Sequence, residues 1–260
     1  MLAASVFDSA KLKVERANLH INELRRASEP LHKSFYSLDI HRHPAVGHTQ
    51  ATKQVLVYRP VQKIPETFAL IIGDAVHNPR AALDHLVTSI ARTVEPSVEI
   101  HFPMRKNRED IVTPSGSAKK AFESVEKALP GFAKLFTDEV RPANNAFDKY
   151  WGFHALDNAD KHNLLVPVVT VVNITGIGGT VGKSVIAGNM VGGRANQPIN
   201  VLSLTGQNIT INEDVETTVT VKFGDGTPFQ DDPVIPTLMQ ISKLTRQTIE
   251  IVERFAKTGH

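Results

Sequence analysis

GDAVHNPRAALDHL, running from Gly73 to Leu86, carries an apolar stripe and a polar stripe at the same helical period. At about 100° per residue, Ala75, Val76, Pro79, Ala82, Leu83, Leu86, Val87 and Ile90 fall on one side. Asp74, His77, Asn78, Ala81, Asp84, His85 and Thr88 fall on the other, with Arg80 at the boundary. A solvated helix face usually carries Lys, Glu and Gln with charges paired four apart. This face carries Asp, His, Asn and Arg, which suit hydrogen bonding, proton transfer and anion contact. The stretch therefore reads as a helix that buries one side in a bundle and presents a site on the other.

Working outward, the helix begins near Pro65 and Glu66, residues that favour a first turn, and continues towards Thr93. Pro79 cannot donate to the carbonyl of Ala75 and is expected to kink or split it, with Asn78 as the cap of the second half. Upstream, Ser5 to Ser28 reads as an amphipathic helix whose apolar positions are Val6, Leu12, Ala17, Leu19, Ile21 and Leu24. Leu31, Phe35 and Leu38 suggest a second helical segment after Pro30, and HRHPAVGHTQ reads as a solvated loop carrying His41, His43 and His48. QVLVYRPV, Gln54 to Val61, alternates like a strand that Pro60 ends or places at an edge.

Downstream, Glu99 to Met104 is a short extended piece and 106–117 a loop. Ala118 to Leu129 and Phe132 to Val140 are short helices around Pro130-Gly131. Asn144 to Asp160 is another strong helix, and it gathers a second set of site-type residues: His154, Asp157, Asn158, Asp160, Lys161 and His162. Composition then changes. From Leu164 to Phe223 the chain is rich in Val, Ile, Thr, Gly and Asn without helical period, and reads as four or more antiparallel strands. GIGGTVGKS resembles a phosphate loop only superficially: Gly178 and Gly182 are four apart, and the position that needs glycine is Ile177, so a hairpin turn is expected. Val234 to Lys257 is an amphipathic helix striped by Leu238, Ile241, Leu244, Ile249, Val252 and Phe255.

These elements predict an α+β fold. Residues 1–163 form a helical bundle, residues 164–233 an inserted antiparallel β-sheet, and residues 234–260 a C-terminal helix that returns to the bundle, all sharing one core. Composition sets the outer limits. Of 260 residues, 41% are hydrophobic, which is ordinary for a globular chain, and the formal charge of +2 does not by itself imply nucleic acid. With no cysteine there are no disulfides and no thiolate chemistry. No apolar stretch reaches the roughly 18 residues of a membrane helix. A cytoplasmic protein without membrane attachment is expected.

The order GDAVHNPRAALDHL, then FPM, then LDNADKHNLL resembles a group of uncharacterised bacterial and phage proteins. Their pattern runs G-D-x-x-H-N-L-R-x-A-L-D-H-L, F-P-I, N-x-D-K-H-R. The likeness spans most of the first 165 residues, with departures at Pro79 and Asn163. More loosely, Arg80-Ala-Ala-Leu-Asp-His85 resembles the motif of the HEPN superfamily, helical proteins that include metal-independent ribonucleases, although Ala81 replaces the usual polar residue. The resemblance implies a metal-independent endoribonuclease or RNA-binding protein without cofactor, a homodimer, and a role in phage defence or as a toxin. It implies that His85 moves a proton of the ribose 2′-hydroxyl or the leaving oxygen, that Arg80 holds the scissile phosphate, and that Asp84 orients Arg80. The two motif residues are about 140° apart on the wheel, so dimerisation is the expected way to bring both to one groove.

Two other readings use the same residues. His77, Asp84, His85, His154, Asp157 and His162 supply enough donors for a helix-bundle metal centre, with Asp74–His77 and His154–Asp157 the better-spaced pairs. Alternatively Asp74, His77, Asn78 and Arg80 meet Asp157, Asn158, Asp160, Lys161 and His162 as a buried polar network that fixes two helices, in a non-catalytic binding or assembly protein.

Overall fold

A computed structural model describes residues 4–31, 35–44, 52–104, 111, 117–141, 149–162, 165, 167–181, 184–190, 198–206 and 208–258. A 3₁₀ turn, Ala4–Phe7, leads into α1, Asp8–Ser28. Two strands follow, β1 (Tyr36–Pro44) and β2 (Thr52–Pro60), then α2, Thr67–Val94. Beyond an irregular stretch come α3 (Ser117–Ala128), the short α4 (Phe132–Leu135) with a π-helical turn over Phe136–Val140, and α5 (Lys149–His162). Strands β3 (Pro167–Val181), β4 (Ser184–Met190), β5 (Ile199–Thr205) and β6 (Asn208–Phe223) precede the final helix α6, Val234–Thr258. The architecture is α+β, with antiparallel strands between the helices and the last helix packed back on α1 and α2.

Helix α2 is the hub: it packs on α1 and also touches α3, α5 and α6. Val76, Ala82, Leu83, Leu86 and Ile90 on its inner face have no exposed surface. Truncating one such leucine to alanine costs about 2–5 kcal/mol. The surrounding core takes Leu24 from α1, Phe102 from the irregular stretch, Phe122, Phe132, Phe136 and Phe153 from the helices after it, and Leu238 and Val252 from α6. Strands contribute too, through Leu56 and Tyr58 of β2 and Val219, Val221 and Phe223 of β6.

The strands form two three-stranded sheets, ordered β1-β2-β5 and β4-β3-β6, and every pair is antiparallel. Thus β5 leaves its sequence neighbours to pair with β2. Gly182 and Lys183 lie outside the described residues; Ser184 starts β4, not a helix, and pairs with Val181 at the end of β3. Among the described residues no helix is long and apolar enough to cross a membrane.

Several local expectations are corrected. Pro79 neither splits nor ends α2, which is continuous from Thr67 to Val94 and is preceded by Glu66; Asn78 is not its cap. Packing on both sides of the proline outweighs the roughly 3 kcal/mol that an interior proline costs. Asn78 instead donates its side-chain amide to the Asp74 carbonyl at 2.8 Å, within the turn that Pro79 deprives of a donor. The segment around Leu38 is strand, not helix, because alternation of Tyr36, Leu38 and Ile40 places them towards the core while β1 pairs along its length with β2. His41 and His43 therefore lie on a strand and not in a loop. Leu12 and Leu19 of α1 are 63% and 59% exposed; Ala10, Val14, Ala17, Ile21 and Leu24 form its buried stripe. His48, most of the expected 106–117 loop, and the first turn expected from Asn144 lie outside the described residues.

Gly73 lets α2 and α5 approach closely. A β-carbon there would lie 2.5 Å from Asp160 Oδ1 and 2.8 Å from its Cγ, so the whole carboxyl group would have to swing away. Gly73→Ala is expected to destabilise by about 1–2 kcal/mol, overpacking outweighing the helix propensity that alanine adds. In an Asp160→Ala background the same change should be neutral or stabilising. Urea denaturation of the four proteins in this double-mutant cycle measures the difference.

Candidate functional site

The polar face of α2 divides into two places with different surroundings. Its first half meets α5. Asp157, 1% exposed, receives His77 Nδ1 at 3.2 Å on one oxygen and Lys161 Nζ at 2.6 Å on the other. A buried carboxylate left without such partners costs several kcal/mol, so this triplet holds the two helices in register. Asp160 lies against Gly73, one turn further along α5. Asn158 and His154, also one turn apart, share a contact of 3.1 Å between Nδ2 and Nε2. The side chains of Asp74 and His162 remain at the exposed surface.

The second half of the face leads to a cleft. Arg80 is buried, 8% exposed, with Nη1 2.8 Å from Asp84 Oδ1. The N–H directions miss that oxygen, so the contact is an ion pair without a directed hydrogen bond, and Nη1 has no other acceptor. Asp84 Oδ1 is also the acceptor for the Phe102 backbone N–H at 2.8 Å. Its second oxygen faces His101 Nδ1 at 3.5 Å. One carboxylate thus links a core guanidinium, the backbone of the 98–104 stretch and an imidazole that is 83% exposed.

Asp84, His85 and His101 line a cleft of about 450 Å³ together with Ser9, Thr88, Ser89, Arg92, Glu99 and Ile100. The Thr88 hydroxyl donates to the Ile100 carbonyl at 2.6 Å and anchors the far wall. Arg92 reaches Glu99 at 3.0 Å and the Val98 carbonyl at 3.2 Å. The wheel offset between Arg80 and His85 is realised as a division between inside and outside: Arg80 sits behind the wall and His85 opens to the cleft. The cation that lines the same cleft is Arg92, paired there with Glu99.

His101 and Arg92 were not singled out by their sequence pattern. His101 sits in an irregular stretch with no period to mark it, next to the FPM motif, and that adjacency was the available signal. Arg92 falls two turns beyond Asp84 on the same helix face. Among the described residues no group of three or more His, Asp or Glu side chains is arranged to hold a metal ion. His77 and Asp157 pair with each other, while His85 lines the separate cleft. No protein-family model, curated protein or solved structure matches this chain.

Burial, and then the positive charge of Arg80, hold the His154 imidazole below its ordinary value of 6.5. Its Nδ1 is buried without a hydrogen-bond partner among the described residues. Asp160 moves the other way: burial, then the carboxylates of Asp157 and Asp74, raise it above 3.8. The unfolded chain binds the His154 proton more readily than the folded one, so stability falls as pH drops from 6.5 towards the lowered folded value. Asp160 has the opposite sign, and its contribution is lost as pH rises from 3.8 through its folded value. His154→Gln is therefore expected to flatten the loss of stability below pH 6.5. Trp151, the sole tryptophan, lies 5.7 Å from the His154 ring and reports its protonation by fluorescence quenching in a pH titration.

Proposed function

We propose that the His85 cleft binds an RNA phosphodiester and cleaves it by metal-independent transesterification. The observation that carries this reading is the convergence of two imidazoles, His85 and His101, and the Arg92 guanidinium with its partner Glu99 on one open cleft, with Asp84 anchored behind them. The substrate supplies its own nucleophile. As the ribose 2′-oxygen bonds to phosphorus, His85 takes its proton; as the bond to the 5′-oxygen breaks, His101 returns a proton to that oxygen. The products are a 2′,3′-cyclic phosphate and a free 5′-hydroxyl. Imidazole is the side chain that ordinarily gains and loses a proton near neutrality, which suits both steps. Arg92 offsets charge on the non-bridging oxygens. Arg80 acts through Asp84: it fixes the carboxylate that orients His101, and does not touch the phosphate.

A homodimer in the cytoplasm is the assembly and compartment that go with this reading. The second reading, a non-catalytic binding or assembly protein, is favoured by one observation: Asp157, His77 and Lys161 already satisfy one another between α2 and α5, as a packing device requires.

Incubation of the pure protein with mixed RNA, with and without chelator, separates the two. Cleavage that persists in chelator is expected, leaving cyclic-phosphate ends. His85→Ala should reduce it by about 10²–10⁴-fold with the melting temperature unchanged, the usual span for loss of an acid or base. Equal cleavage by wild type and His85→Ala, or none by either, would favour the packing reading.

A further inference from the structure

The two strand histidines lie outside the cleft, on a face of the β1-β2-β5 sheet that the core does not use. Leu56 and Tyr58 of β2 point into the hydrophobic core, with Leu38, Ile40, Leu202 and Leu204 packed against it. The register places the alternate residues on the outer face: His43 opposite Lys53, His41 opposite Val55, Asp39 opposite Val57 and Ser37 opposite Arg59. Val55 and Val57 are buried yet are not part of the main core cluster, as expected for the floor of this second face. On β5 the exposed positions are Asn200, Ser203 and Thr205.

The surface chemistry of this face is specific. The His41 and His43 rings are nearly parallel, 11° between planes with centroids 6.3 Å apart. Arg59 Nη2 touches His41 Nε2 at 3.2 Å. The one carboxylate among the described residues of this face, Asp39, is engaged by the Ser37 hydroxyl at 3.0 Å and lies 3.7 Å from Arg59 Nε. Lys53, beside His43, and Arg59, which already holds Asp39 and touches His41, stand at opposite ends of this face, with the His41 ring between them and a row of amide and hydroxyl groups alongside. An apolar partner finds little to bury here. A polyanion with planar groups finds cations for its phosphates, rings for its bases and polar atoms for its sugars.

We propose that this outer face is a docking surface for single-stranded RNA, with Lys53 and Arg59 on phosphates and the His41–His43 pair stacking a base. This deepens the ribonuclease reading by giving the substrate a second point of attachment, and it rests on that reading for the choice of RNA.

The test measures binding apart from cleavage. A labelled twelve-nucleotide oligouridylate with every 2′-hydroxyl methylated lacks the nucleophile and cannot be cut. Its affinity, by fluorescence anisotropy against salt, is expected to fall about tenfold in His41→Ala/His43→Ala, the loss of one stacked base. In Lys53→Ala/Arg59→Ala the slope of log affinity against log salt should shrink by about 1.4, two phosphate contacts on a single strand. Lys63→Ala, an exposed cation outside the sheet, should match wild type, and circular dichroism melts of all variants check folding. Wild-type affinity in the sheet variants, or no binding by any protein, overturns the inference. Preference for poly-glutamate or anionic vesicles over the oligonucleotide also overturns it, by identifying another partner. Cleavage with sheet-independent binding leaves the His85 reading standing while this one falls; sheet-dependent binding without cleavage does the reverse.

Discussion

Asp84 is the point on which the arrangement turns. Its carboxylate faces the core guanidinium of Arg80, accepts the Phe102 backbone amide and reaches the exposed imidazole of His101. Those contacts come from two stretches of chain, α2 and the irregular segment after it. With Arg80 nine-tenths buried, removal of this one carboxylate leaves a desolvated cation without its ion-pair partner among the described residues, an outcome that costs several kcal/mol. The same removal takes away one of the ties on the 98–104 stretch that forms the far wall of the cleft, beside those from Thr88 and Arg92. Structural support and site geometry therefore rest on one side chain, and the ion pair has value beyond the few tenths of a kcal/mol of a solvated pair four residues apart.

The seam between α2 and α5 shows a second use of charge. Asp157 is wholly enclosed, but its partners His77 and Lys161 approach from the solvent side. The helices can come this close because Gly73 presents no side chain to Asp160. A site-like residue composition thus served two ends on one helix: packing in its first half and a cleft wall in its second.

How far this was legible from sequence follows from the kind of signal each part carries. The helical period of α2 and α6 and the change of composition near Leu164 report burial directly, so the helices and the α+β class could be read. The meeting of His77 with Asp157 was among the alternatives because both polar stripes were visible. The depth of Arg80 was not readable: a residue at the boundary of a helical wheel is placed inside or outside by its neighbours in space. His101 was hidden for a related reason, since an irregular segment has no period and its position depends on the Asp84–Phe102 contact. The split expected at Pro79 is absent because tertiary packing overrides the break that local propensity predicts. The helix expected around Leu38 failed because the strand partner, β2, supplies what a window on β1 alone cannot show.

The pairing of β5 with β2 has a consequence for how the chain reaches its folded state. Residues Thr52 to Pro60 form the centre of their sheet, yet one neighbour arrives only with Ile199–Thr205, almost 150 positions later. α1 likewise waits for the final helix to cover it. During synthesis the first quarter of the chain therefore emerges with an unpaired strand edge and an uncovered helix face, the surfaces most apt to associate wrongly. The long separation between partners makes assembly slow and late, and places the burden of early protection on whatever greets the nascent polypeptide.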